Sequence, residues 1–80
     1  MNLAVVRTLV EMHALNALRA AEDSLLNEQR PDIDVPGVDE GDQLTNVLGA
    51  IWVHERMRGE QMDLRSALRD YTRMVRGSIT

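Results

Sequence analysis

An 80-residue chain in which 44% of residues are hydrophobic has the apolar content for one small folded domain, residues 1–80. Its net charge of −4 argues against a protein whose main task is to grip a nucleic acid backbone. It has no cysteine and no leader-like start, which points to a reducing, cytoplasmic location, and no apolar run approaches the roughly 20 residues of a membrane span. The charge is uneven: residues 1–46 hold three arginines and nine acids, net −6, and residues 47–80 hold six arginines and four acids, net +2. Halves of opposite sign attract, within one subunit or between two.

From Leu3 to His13, the residues Leu3, Val5, Val6, Leu9, Val10 and Met12 cover nearly half the circumference of a helix, with Arg7 and Glu11 paired one turn apart on the other half. A second stripe, Leu15, Leu18, Ala21, Leu25 and Leu26, would lie roughly 150° around from the first if the helix ran on unbroken. One straight helix cannot bury both against one core. The spacing therefore predicts a break near His13 to Asn16, with either residue as the cap; a single long helix serving two partners is the alternative. The second helix should end near Gln29, because Pro31 disfavours helix at Arg30.

An acidic connection follows over residues 31–38. Ile33 and Val35 alternate with Asp32 and Asp34, the pattern of a short extended segment with one side docked, and Val35-Pro36-Gly37-Val38 suits a type II turn. Asp39 is placed to cap the next helix, with Glu40 and Asp42 in its first turn. That helix, near 39–58, is the centre of the fold, because Val47 to Val53 carry no polar side chain. Leu44, Val47, Leu48 and Ile51 lie within about 100° of one another, while Ala50, Val53 and Met57 lie opposite. Both sides need covering, one by the rest of the chain and the other by a second subunit. The helix should stop at Gly59 with a left-handed cap. Asp63 then caps a last helix to residue 77, whose stripe is Leu64, Leu68, Tyr71 and Val75, and which folds back on the central one.

Features able to carry chemistry are few. Arg65, Arg69, Arg73 and Arg76 share about an 80° arc of the last helix; they would hold an acidic partner or a phosphate, or form an ordinary solvated face. Asp32, Asp34 and Gly37 match the first, third and sixth positions of a calcium loop, but Pro36 and Gln43 fill the fifth and twelfth, where ligands are needed. Glu22, Glu55, His13 and His54 fall near apolar stripes, yet lack the Glu-x-x-His spacing of helical di-metal sites; pairing with arginines is the simpler expectation. Trp52 and Tyr71 are too few to stack single-stranded bases, and Thr45 and Asn46 would line a shallow pocket or simply start a helix. No cysteine nucleophile, glycine-rich phosphate loop or Ser-His-Asp pattern supports an enzyme, and no cofactor is implied.

The segments PDIDVPGVDEGDQLTNVLGAIWVHERM and LRSALRDYTRMVRGSI, with LVEMH and LRAAEDSLL before them, resemble a family of short bacterial proteins classed as a domain of unknown function. That resemblance spans the whole chain and implies a compact bacterial cytoplasmic protein without supplying an activity or ligand. The expectation is an all-α domain of four helices near 2–13, 15–29, 39–58 and 63–77, with a short extended acidic linker between the second and third. The expected role is a structural or protein-interaction module forming a homodimer through Ala50, Val53 and Met57, aided by Ile33 and Val35. A regulatory adaptor binding an unidentified acidic protein through Arg65, Arg69, Arg73 and Arg76 is the alternative, and a metal-binding helical protein is a weaker one.

Overall fold

Local side-chain chemistry sets the start of three of the four helices. In the computed structural model, which describes residues 2–77, α1 is Leu3–Met12, α2 is Leu15–Leu26, α3 is Glu40–Glu60 and α4 is Leu64–Gly77; no strand occurs among the described residues. The Asn2 side-chain oxygen accepts from the N–H groups of Ala4 and Val5 at 3.0 and 3.4 Å. Asp39 accepts from Asp42 N–H at 2.8 Å, while the Asp42 carboxylate accepts from Val38 N–H at 3.1 Å, so the two ends of the first turn of α3 hold each other. Asp63 accepts from Ser66 N–H at 2.9 Å at the head of α4.

The break between the first two helices falls at His13 and Ala14, both extended. His13 is the cap there, closing α1 with its N–H bonded to Leu9 O, whereas the N-cap of α2 is Ala14, with no side-chain bond, and Asn16 accepts only from Ala17 N–H. The corner is held from elsewhere, because His54 Nε2 on α3 lies 2.9 Å from the His13 carbonyl oxygen, where it donates.

Two helix ends depart from expectation, and both use left-handed residues that are not glycine. α2 stops at Leu26 rather than Gln29, since Gln29 N–H bonds back to Ser24 O at 2.8 Å and Glu28 N–H to Leu25 O at 3.2 Å, with Glu28 at φ 56°. This is a Schellman motif with Glu in the place that glycine usually fills. α3 runs through Gly59 to Glu60, and Gln61, at φ 50°, takes the left-handed position. Gly37 has no positive φ, so the type II turn is absent. Proximity explains the residue instead: a β-carbon there would stand 2.6 Å from Gln43 Cγ and 2.7 Å from the Gln43 backbone nitrogen.

α3 is the hub. It packs against α1, α2 and α4, whereas the outer helices touch one another little. Val6, Leu9 and Val10 come in from α1, Leu15, Leu18, Ala21 and Leu25 from α2, and Ala67 and Tyr71 from α4. They close over Val47, Ala50, Ile51 and Val53 of α3, and Val35 of the connection enters the same core. The alternation in that connection holds: Val35 is buried and Ile33 half-buried, with Asp32 and Asp34 exposed.

The expectation that a second subunit would cover the far side of α3 needs correction at this level. Ala50 and Val53 are 0% exposed and Val35 4%, so the chain's own core has already used them. Met57 and Ile33 also pack on that core from partly buried positions. What stays in water on α3 is Leu48, at 44% exposure, on the opposite arc.

Candidate functional site

α4 has an apolar side that meets α3 and a cationic side that is exposed. Arg65, Arg69, Arg73 and Arg76 are all exposed, and none forms an ion pair among the described residues. Asp70, the acid nearest to them in sequence, is taken by α3: Arg56 Nε lies 3.2 Å from its carboxylate. The Arg56 guanidinium also sits 5.8 Å from the centre of the Trp52 ring, which in turn meets Tyr71 at 5.4 Å between centroids. Burial pushes the Tyr71 hydroxyl above its ordinary value of 10.

Beside the arginines runs the seam between α1 and α4. One depression of about 240 Å³ is lined by Leu3, Tyr71, Thr72, Val75 and Arg76. A second, of about 280 Å³, is lined by Arg7, Leu64, Arg65 and Leu68. Leu3 and Arg7 are one turn apart on α1, so the two hollows lie along one line with arginine at both ends. Leu3, exposed by 43%, adds apolar surface. Leu64 and Leu68 pack on the core from half-buried positions, as their stripe implies, whereas Leu3 stays exposed; helical spacing identifies an apolar stripe but not how much of it a neighbouring helix covers.

The other candidate groups are engaged separately. Glu55 on α3 pairs with Arg19 on α2 at 2.8 Å, and Arg7 pairs with Glu11 at 3.7 Å, as expected from their spacing. His54 is held at the His13 carbonyl. Among the described residues no group of three or more His, Asp or Glu side chains converges as a metal site would. Asp39 and Asp42 serve the start of α3 instead, with the Val38 N–H bond holding the Asp42 carboxyl below its usual 3.8. A hollow of about 300 Å³ beneath the connection, bordered by Asp32, Asp34 and Gln43, has polar walls.

Asn46 forms no pocket lining. It is 1% exposed, and its side-chain oxygen accepts from Asn2 N–H at 3.0 Å while its amide donates to Pro36 O at 3.0 Å. One buried side chain thus joins the start of α1, the acidic connection and α3. Nothing local in the sequence marks this role, because both partners are distant in the chain. No described helix is long and apolar enough to cross a membrane.

Over residues 1–80 the chain matches the model of a family of unknown function, DUF6952, and it belongs to that family. No curated protein and no solved structure matches it.

Proposed function

We propose that this member of DUF6952 is a non-enzymatic protein-interaction module that self-associates as a homodimer, using the α1/α4 seam and the arginines along it. The carrying observation is the coexistence of two features in one place: an apolar hollow at Leu3, continued by a more polar one at Leu64 and Leu68, and four exposed arginines without an ion pair among the described residues. Each 100 Å² of apolar surface removed from water there contributes about 2.5 kcal/mol before the cost of association. The non-enzymatic part rests on what the polar side chains are doing. His54 closes a helix corner, Glu55 holds Arg19 and Asp70 holds Arg56, each a structural task. A cysteine-free chain of this kind suits the reducing cytoplasm.

Sedimentation from low to high micromolar concentration tests the homodimer. A monomer throughout would overturn it. A second reading, an adaptor for an acidic partner protein, is favoured by the exposure of Arg65, Arg69, Arg73 and Arg76. Reversing Arg69 and Arg73 to glutamate should then abolish capture of that partner, and retained capture would remove the reading.

A further inference from the structure

We infer that, in the homodimer, the seam of one copy receives the acidic turn around Val38 of the other, reciprocally, about a twofold axis. This rests on the reading above and adds the identity of the opposing element. Val38 is 94% exposed, the most exposed large apolar side chain described, and it stands among Asp34, Asp39 and Glu40, which are exposed too. An apolar knob ringed by carboxylates is the complement of an apolar hollow that Arg76 borders, with Arg73, Arg69 and Arg65 exposed farther along the same helix. Knob and hollow also occupy the same end of the molecule. Asn46 bonds both Pro36 O, two residues before Val38, and Asn2 N–H, one residue before Leu3, and Leu3 lines the hollow with Val75 and Arg76.

That placement decides the geometry. In a twofold interface, residue i of one copy meets j of the other while j meets i. Two complementary surfaces at one end can therefore both be satisfied at once by an axis through that end, and the assembly closes as a dimer instead of growing. The same rule supplies each contact twice, so eight arginines, four from each copy, and two acidic turns give the association a marked salt dependence. Within one copy the turn is tied down by Asn46 and by the Asp42 bond to Val38 N–H, so it meets the partner already shaped.

The test is a charge exchange read by sedimentation equilibrium, with circular dichroism and melting as controls for folding. Glu40→Arg and Arg76→Glu should each weaken the dimer about tenfold or more, and the double variant E40R/R76E should recover most of that loss. Val38→Ser, which alters a side chain that touches almost nothing in the monomer, should weaken dimerisation about tenfold without moving the melting temperature. A dimer indifferent to all three single changes, or a double variant no tighter than the singles, overturns the Val38 contact while leaving self-association standing. A wild-type chain that stays monomeric at every concentration overturns both, and a monomer that binds polyglutamate through the same arginines gives the seam to a foreign acidic partner.

Discussion

Tyr71 lies so close over Gly49 that a β-carbon on the glycine would stand 2.7 Å from the phenolic oxygen and 3.1 Å from both the ring and Val6 Cγ2. Gly49 is the point where α1, α3 and α4 meet. A glycine in the middle of a helix ordinarily costs about 0.5–1 kcal/mol relative to alanine. Here the close approach of a ring wedged against Trp52 makes it necessary.

Gly49→Ala should therefore destabilise the fold by about 1–2 kcal/mol, the overpacking cost exceeding the gain in helix propensity. Gly59→Ala, with nothing within 4 Å of the added carbon, should stabilise it by about 0.5–1 kcal/mol. Urea unfolding of the two variants side by side measures both. Equal effects would mean that the Tyr71 contact is not tight.

The left-handed residues offer a second comparison. Glu28→Gly and Gln61→Gly should each raise stability by about 0.5–1 kcal/mol, since the relief of left-handed strain exceeds the added freedom of the unfolded chain. A loss in either variant would show that the side chain earns its position through contacts.

Asn46→Ala leaves the Asn2 N–H and the Pro36 carbonyl without their buried partner, at a cost of about 2 kcal/mol. In a domain of this size that lowers the melting temperature by roughly 8–16 °C. An unchanged melting temperature would mean that water replaces both bonds freely.

Acid should weaken the fold in a defined way. The carboxyls of Asp42 and Asp63 are held below their usual value, chiefly by bonds from Val38 N–H and from Ser66 respectively. A folded pKa below the unfolded one adds stability above the unfolded value of about 4, and that stability disappears as pH falls through the folded value. Unfolding measured from pH 7 down to pH 2 should be flat to about pH 5 and then decline. Asp63→Asn keeps a capping oxygen and removes the titration, so its decline should be shallower; an identical acid limb would exclude Asp63 as a source.

The helices were legible wherever their cause lay within one or two turns of sequence. Stripe spacing located all four, Asp39 and Asp63 announced their caps, and the alternation of Ile33 and Val35 with aspartates showed which side of the connection docks. The apolar run in α3 correctly required cover on the sides of Val47, Ala50, Ile51 and Val53, though not at Leu48, but periodicity carries no information on whose atoms supply it. Ala50 and Val53 looked the same whether α1, α2 and α4 or a second copy enclosed them. Contacts between distant residues left no local mark either: His54 at the His13 carbonyl, Arg56 at Asp70 and Tyr71 over Gly49 each needed the tertiary fold to be seen. Gly59 drew the left-handed assignment because of its residue type, while the strain fell on Gln61.

With three helices leaning on one axle and hardly on each other, opening need not be all-or-none. Each outer helix can peel away and return while the remaining pair keeps α3 company, so amide hydrogens in α1, α2 and α4 should exchange with solvent through separate partial openings. Those at Ala50 to Val53 have no such route and must wait for the whole chain to come apart.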